Sequence, residues 1–187
     1  MSAPRTDAAL AGIVLAGGQS RRMGRDKAML PWKEGSLLTH MRALLGEAGA
    51  DRVVVSGAYP DFDGVVDVIP GQGPLGGLYS VVQTLPDSTA WVVPVDMPRL
   101  DVALLHRLRD APAAACAIFA GQPLPMRLRI DARTRATLAK LLADADGPRS
   151  LRVLQQTLGT VELPALEDAA GRLSNCNTPE QFKELVA

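Results

Sequence analysis

Paired glycines and a group of cations follow the first apolar segment of the chain. Residues 13–15 form a short apolar run that predicts a buried strand, and Gly17 and Gly18 come directly after it. The loop that follows carries Arg21, Arg22, Arg25 and Lys27. Glycine lets backbone N–H groups approach a ligand closely, and clustered cations bind phosphate oxygens. These residue types are typical of a polyphosphate site, although an ordinary turn with a solvated basic face fits the composition of the loop equally well.

Two standard phosphate-binding motifs were compared with the glycine segments. The first loop is not a Walker P-loop, because five residues separate Gly18 from Gly24 and Lys27 is not followed by Ser or Thr. Residues 71–76 match G-x-G-x-x-G, the fingerprint of dinucleotide-binding proteins. However, Pro74 removes a backbone N–H where that fingerprint needs open donors, and the first strand feeds a different loop. A dinucleotide-dependent oxidoreductase is therefore a minor alternative.

Apolar runs and helical patterns alternate along the whole chain. The alternation predicts an α/β fold of three layers with a mostly parallel central sheet. Pro94 is unusual for a central strand. Ser36, Asp131 and Thr178 have the residue types and positions of helix N-caps. The predicted strands are 13–15, 52–56, 65–69, 91–95, 114–119, 124–130 and 160–163, and the predicted helices are 36–48, 78–85, 102–109, 134–143, 150–158 and 179–186.

Asp96 ends a very apolar segment, at the point where a strand of such a sheet would deliver it to the carboxyl edge. Because ligands bind at that edge, we expect Asp96 and both glycine loops to meet there. A carboxylate in this position suits Mg²⁺, which usually takes one or two carboxylates together with phosphate oxygens. The alternative role for Asp96 is to cap the next helix.

The composition limits the classes of protein to consider. The 187 residues predict one domain spanning 1–187, with 1–9 as a disordered tail. Twenty basic and twenty acidic residues cancel, so no general attraction to nucleic acid or membrane is expected. Cys116 and Cys176 are far apart and predict unpaired thiols in a reducing compartment. With no targeting or membrane-spanning pattern in the sequence, we expect a cytoplasmic location.

Four ordered motifs resemble those of the molybdenum cofactor guanylyltransferases. Leu15–Lys27 reads LAGGQSRRMGRDK, which is similar to the family signature L-A-G-G-x-S-x-R-M-G-x-D-K. Gly73–Gly77, Val95–Pro98 and Asn175–Glu180 resemble the G-P-L-x-G, C-D-x-P and N-x-N-T-P-E segments of the family, and Gln122–Leu124 resembles its Q-P-L. The resemblance extends from about residue 12 to the C-terminus.

The resemblance implies a Rossmann-like nucleotidyltransferase fold and a specific reaction. Such enzymes transfer GMP from GTP to the terminal phosphate of the molybdenum–molybdopterin cofactor and release pyrophosphate, with Mg²⁺ as the cofactor. The implied partners are therefore GTP and the molybdopterin cofactor, with molybdoenzymes or cofactor-delivery proteins as further candidates, and neither nucleic acid nor membrane.

Roles for single residues follow from the same resemblance. Arg22, Lys27 and Asp96 are the candidate catalytic residues, with Asp96 as metal ligand, whereas Asp26 is expected to orient the loop by hydrogen bonding. Asn175 and Asn177 are candidates for the pterin substrate, or for hydrogen bonds within their own loop. The candidate nucleotide-binding residues are Leu15, Ala16, Gly17, Gly18, Lys27, Asp67, Pro74, Leu75, Gly76, Gly77 and Asp96.

The likeness departs from the family at two nucleotide contacts. The family carries an Asn shortly after the second strand and an Asp before the G-P-L loop, and this chain has neither at the matching place. Ser56 and Asp67 are the polar residues available to replace them. A cytidylyltransferase acting on the same cofactor and a non-catalytic GTP-binding cofactor-delivery protein are the alternatives, although Gly17, Gly18 and Pro74–Leu75 favour GTP.

Overall fold

The structure is a computed structural model that describes residues 9–17, 26–144, 147–164, 171–176 and 181–182. Nine strands lie within these ranges. In chain order the strands are β1 (Leu10–Leu15), β2 (Pro31–Trp32), β3 (Gly35–Ser36), β4 (Arg52–Ser56), β5 (Gly64–Val65), β6 (Ser88–Pro94), β7 (Cys116–Phe119), β8 (Met126–Ile130) and β9 (Thr160–Leu163).

Seven of these strands form the central sheet, in the order β5-β4-β1-β6-β8-β7-β9, and β2 and β3 form a separate two-stranded ribbon. All pairings in the central sheet are parallel except those of β8 with β6 and β7. The prediction of a mostly parallel sheet is therefore confirmed. The chain leaves β1 toward β4 on one side and later returns to β6 on the other, so the carboxyl end of β1 opens into the crevice where such sheets bind ligands.

Within the described ranges, five α-helices cover the two faces of the sheet, and side-chain caps begin four of them. Ser36, Asp101, Asp131 and Ser150 each accept a hydrogen bond from the backbone N–H three residues later, which satisfies a donor that the helix leaves open. The helices are α1 (Leu37–Glu47), α2 (Gly73–Val82), α3 (Val102–Arg109), α4 (Ala132–Ala143) and α5 (Leu151–Leu158).

The sheet separates two hydrophobic clusters. Ile13 and Val92 point to the cluster that contains residues of α2, α4 and α5, whereas Val14 and Trp91 point to the cluster that contains residues of α1 and α3. Successive side chains of a strand face opposite sides, so β1 and residues 90–94 of β6 are apolar because both of their faces are buried. This arrangement gives the three layers that the sequence predicts.

The structure corrects two element boundaries next to the candidate site. The strand predicted at 65–69 is limited to Gly64–Val65, because the pairing with β4 ends there, and Val66 is 65% exposed. The helix predicted at 78–85 begins earlier, at Gly73, so that part of the glycine loop is helical.

Two further features of the elements bear on the sequence analysis. Pro94 ends β6 two residues beyond the last pairing with β8, at Val92, so its missing N–H breaks no bond to that strand. Of the helix predicted at 179–186, only 181–182 lie within the described residues. Across the described ranges, no helix has the length and apolar character needed to cross a bilayer.

Candidate active site

Lys27 and Asp96 meet at the carboxyl edge of the sheet. Asp96 follows β6, and Lys27 follows the loop that leaves β1. Lys27 Nζ donates to Asp96 Oδ2 at 2.8 Å, and the two side chains are only 13% and 17% exposed. The pair therefore places one cation and one carboxylate, both largely shielded from water, where a parallel sheet binds its ligands.

Asp26 fixes the backbone that carries Lys27. Its side chain caps a single 3₁₀ turn, Lys27–Met29, by accepting a hydrogen bond from the backbone N–H of Ala28 at 3.0 Å. Ala28 is fully buried in the cluster with α1 and α3, which anchors the turn from below. The expectation that Asp26 orients the loop by hydrogen bonding is confirmed.

Residues after Leu173 hold Asp96 from the other side. The backbone N–H of Cys176 donates to the carbonyl oxygen of Asp96 at 2.8 Å, and Leu173 is buried in the same cluster as Ala28. Burial raises the pKa of the Cys176 thiol, so that thiol stays protonated beside the ion pair. Asn175 is exposed and adjoins this contact, which places it at the same edge of the sheet.

A cavity of about 540 Å³ opens beside β1 at this edge. Its walls come from the end of β1, from the turn after β4 and from the segment before α2, and small residues predominate. The lining residues are Gly17, Gly57, Ala58, Val66, Asp67, Pro70, Gly71 and Gly73. A second cavity, of about 560 Å³, lies at the opposite edge and is lined by none of the predicted site residues.

Asp67 brings an unsatisfied acceptor to the first cavity. Its Oδ1 is buried and has no hydrogen-bond partner within the described part of the chain, and Oε1 of Gln72 is in the same situation. Burial raises the pKa of Asp67 above its ordinary value, because the charged carboxylate loses hydration. A buried acceptor without a donor is costly, so donors on a ligand in the cavity would relieve the penalty.

Close packing at the end of β4 requires glycine at position 77. A Cβ on Gly77 would overlap Oγ of Ser56, whereas a Cβ on Gly17 would lie 3.2 Å from the same oxygen, a tight contact that a small shift relieves. Ser56 is 1% exposed, so it has little room to move. The start of α2 approaches the end of β4 because position 77 lacks a side chain.

The remaining predicted residues fall into three groups. Leu75 belongs to the hydrophobic core, Pro74 is exposed, and Gly76 is buried against Gln72. Leu15 and Ala16 lie at the end of β1 beside Gly17. Predicted residues outside the described part of the chain are Gly18, Arg22 and Asn177.

Tyr59 was missed by the sequence analysis. Its hydroxyl donates to both carboxylate oxygens of Asp26, at 2.9 Å each, across 33 residues of sequence. No motif or spacing signals such a contact, since it depends on how the turn after β4 packs against the first loop.

The donors around Asp96 decide whether it could hold a metal ion. Among the described residues, no three His, Cys, Asp or Glu side chains are close enough to form a metal cage. A single carboxylate at a polyphosphate site nevertheless fits a hard divalent cation that takes most of its other ligands from phosphate and water. The residues present are therefore compatible with a metal that binds together with a nucleotide.

Taken together, the switch-point crevice, the Lys27–Asp96 pair and the adjoining cavity define a nucleotide-binding α/β enzyme.

Comparison with known proteins makes the class more specific. The sequence model of the MobA-like NTP transferase domain matches residues 12–161. The molybdenum cofactor guanylyltransferase of Xanthomonas euvesicatoria pv. vesicatoria is 49% identical over 176 residues, covering 94% of this chain and 93% of that protein. The chain belongs to the MobA-like NTP transferases, the family of the molybdenum cofactor guanylyltransferases.

Solved structures agree with the fold. Molybdopterin-guanine dinucleotide biosynthesis protein A from Archaeoglobus fulgidus superposes with a TM-score of 0.74 at 18% identity, covering 94% of this chain and 96% of that one. A Mycobacterium tuberculosis protein solved in complex with manganese superposes with a TM-score of 0.63 at 19% identity, covering 97% and 99%. At these identities the likeness supports the nucleotidyltransferase fold alone.

Proposed function

We propose that this chain transfers GMP from GTP to the terminal phosphate of the molybdenum–molybdopterin cofactor, releasing pyrophosphate. The observation that carries the proposal is the buried Lys27–Asp96 pair beside a cavity with an unsatisfied carboxylate, Asp67. The 49% identical guanylyltransferase supports it. In the reaction, an oxygen of the cofactor phosphate attacks the α-phosphorus of GTP, and the bond to the β-phosphate oxygen breaks.

Lys27 would neutralise charge on the triphosphate. Two anions must be brought together, so catalysis depends on orienting them and on stabilising the negative charge that moves to pyrophosphate. Lys27 is pre-positioned by the Asp26 cap and held in place by Asp96 before any nucleotide binds. A phosphate oxygen would replace Asp96 as its acceptor. Arg22 is proposed to assist from the same loop.

Asp96 would hold the metal, which we propose is Mg²⁺. Its carboxylate is the oxygen ligand that a hard divalent cation prefers, and the related Mycobacterium tuberculosis structure was solved with manganese. When bound, such an ion supplies positive charge to the phosphates and orients them. The carbonyl of Asp96 is tied to Cys176, so the carboxylate stays at the edge of the sheet even when Lys27 leaves it.

The start of α2 would contribute backbone donors. The first N–H groups of a helix have no intrahelical acceptor, and the side chain of the N-cap residue, Gln72, makes no capping hydrogen bond. Gly73 lines the cavity, and the positive end of the helix dipole favours an anion there. Pro74 has no N–H, and the N–H of Gly76 donates to the carbonyl oxygen of Gln72 at 3.4 Å. The backbone donors of this segment are therefore proposed to be those of Gly73 and Leu75, although the side chain of Leu75 is in the core.

Asp67 would select guanine. A carboxylate only accepts hydrogen bonds, and guanine presents adjacent donors, N1–H and the N2 amino group, on one edge. Cytosine offers one amino group beside acceptors, which a carboxylate would repel. Asp67 has a free, buried oxygen at the cavity, so it can replace the acidic residue that the family carries before its G-P-L segment.

Asn175 and Asn177 are the residues proposed to bind the pterin substrate. Asn175 adjoins the contact between Cys176 and Asp96, which supports a role for its side chain beside the reacting phosphates. We propose that this pair binds the pterin phosphate, that the product passes to molybdoenzymes or delivery proteins, and that the chain works in the cytoplasm.

Labelled GTP provides the direct test. The protein should release labelled pyrophosphate from GTP in the presence of Mg²⁺ and molybdenum–molybdopterin, and should form the guanine dinucleotide cofactor. CTP in place of GTP is the matched control and should be turned over at least tenfold more slowly, by the loss of about 1.4 kcal/mol or more at Asp67. Turnover with CTP alone would refute the guanine assignment. Tight GTP binding without pyrophosphate release would favour the non-catalytic delivery protein.

A further inference from the structure

Tyr59 connects the two parts of the proposed site. Its ring lies over Gly57, where an added Cβ would be 2.7 Å from Cε2 of the ring, and Gly57 and Ala58 line the cavity. Its hydroxyl reaches the carboxylate of Asp26, which caps the turn that carries Lys27. A single side chain thus reaches from the wall of the cavity to the residue that caps the turn of Lys27.

The backbone of Tyr59 is fixed on all sides. Its N–H donates to the carbonyl of Gly57, and its carbonyl accepts from Phe62 and Gly64, each at 3.0 Å. Gly64 packs so tightly that an added Cβ would lie 2.5 Å from both the nitrogen and the oxygen of Tyr59. The ring therefore cannot shift without moving the turn that lines the cavity.

The hydroxyl makes a strong and directional contact. It lies 2.9 Å from both oxygens of Asp26, and hydrogen bonds to a charged acceptor are among the stronger ones in proteins. Burial and the neighbouring carboxylate raise the pKa of Tyr59, so the hydroxyl remains a donor throughout the neutral range. The carboxylate of Asp26 is held by two contacts, one with the backbone N–H of Ala28 and one with the hydroxyl of Tyr59. These contacts set the position of the 3₁₀ turn that Lys27 starts.

We propose that Tyr59 is a positioning residue that couples the base cavity to Lys27 through Asp26. A nucleobase that rests against Gly57 and Ala58 would hold the turn after β4 in place. Through Tyr59 and Asp26, that turn would then hold the 3₁₀ turn of Lys27, whose side chain would contact the triphosphate. This inference rests on the proposed nucleotide site, and it adds a residue that no part of the family motifs contains.

A double-mutant cycle on nucleotide binding tests the coupling. Equilibrium dissociation constants for guanosine and GTP are measured for the wild-type chain, Tyr59→Phe, Lys27→Ala and the double variant. Tyr59→Phe should raise the dissociation constant of GTP about tenfold and change that of guanosine by less than twofold, because only Lys27, at the phosphate side of the site, loses its positioning contact. In the Lys27→Ala background, Tyr59→Phe should have no further effect on GTP. Tyr79→Phe removes a hydroxyl that takes no part in this bridge and is the matched control.

The opposite results would overturn the proposal. They are equal losses for guanosine and GTP, additive losses in the double variant, or GTP affinity unchanged in Tyr59→Phe. The binding cycle needs no turnover, so a chain that binds GTP but releases no pyrophosphate would refute the proposed reaction and still decide the role of Tyr59. If the chain prefers CTP, the same cycle applies with cytidine and CTP. Binding of neither nucleotide would overturn both proposals.

Discussion

Lys27 and Asp96 form an ion pair at 2.8 Å between a loop that follows the first strand and the end of the sixth. Both side chains are mostly shielded, so their attraction offsets part of the hydration that each charge loses. In the proposed reaction, a nucleotide with its metal would offer each side chain a new partner, since phosphate suits the lysine and the cation suits the carboxylate. A phosphate or a metal ion that binds here must therefore compete with the ion pair between Lys27 and Asp96.

Asp96→Asn should reduce pyrophosphate release from GTP by about 100-fold or more, because the amide keeps the shape of the side chain and loses the charge that would hold a metal. The rate of pyrophosphate release under saturating GTP measures the effect. Asp110→Asn, at the end of α3, removes an exposed carboxylate and should leave the rate unchanged. A loss smaller than tenfold in Asp96→Asn would remove Asp96 from the metal role.

Lys27→Met should weaken the binding of GTP by about 10- to 100-fold and leave the binding of guanosine unchanged. A charge-assisted contact to phosphate is lost, while the cavity proposed for the base is unchanged. Isothermal titration with both ligands gives the comparison. Lys140→Met, on the exposed face of α4, is the control for the loss of one positive charge. Equal weakening in both lysine variants would mean that only the overall charge matters.

Asp67→Asn should increase the free energy of unfolding at neutral pH while weakening GTP binding. Burial raises the pKa of Asp67 in the folded state, so the folded chain binds more protons than the unfolded chain and stability falls as pH rises through that window. The advantage of Asp67→Asn should therefore vanish as pH drops below the ordinary value of 3.8. Urea unfolding at several pH values tests the trend, with the exposed Asp61→Asn as control. A less stable Asp67→Asn at pH 7 would contradict it.

Gly77→Ala should destabilise the chain by about 1–3 kcal/mol, because the new Cβ meets the buried Ser56 at the end of β4. Gly46→Ala is the matched control in α1, where an added Cβ has nothing within 4 Å, and it should stabilise by about 0.5–1 kcal/mol. Adding Ser56→Ala should recover part of the loss in Gly77→Ala. Chemical denaturation measures all three. No recovery would show that the clash lies elsewhere.

Local rules predicted much of this fold, and tertiary packing explains the rest. The caps at Ser36 and Asp131 follow from neighbouring residues alone, and both are confirmed. The strand at 65–69 was wrong because its length depends on β4, which pairs only as far as Val65. No local pattern indicates that His40 and His106 are half-buried, each with a backbone carbonyl 58 residues away as partner.

The site divides in the same way. The sequence predicted that the first loop, the segment before α2 and Asp96 would meet, because strand ends of a parallel sheet share one edge. It could not predict the pairing of Lys27 with Asp96 across 69 residues, or the contact of Tyr59 with Asp26. Such contacts depend on loop paths that no local pattern encodes.

The bond from Cys176 to Asp96 has a consequence for biosynthesis on the ribosome. Strands β1, β4 and β6 are made early and can pair while the rest of the chain is still being translated. The segment 171–176, which buries Leu173 and ties down the carbonyl of Asp96, emerges from the exit tunnel only much later. The parallel pairing of β1, β4 and β6 can therefore form before the contact that holds the carbonyl of Asp96.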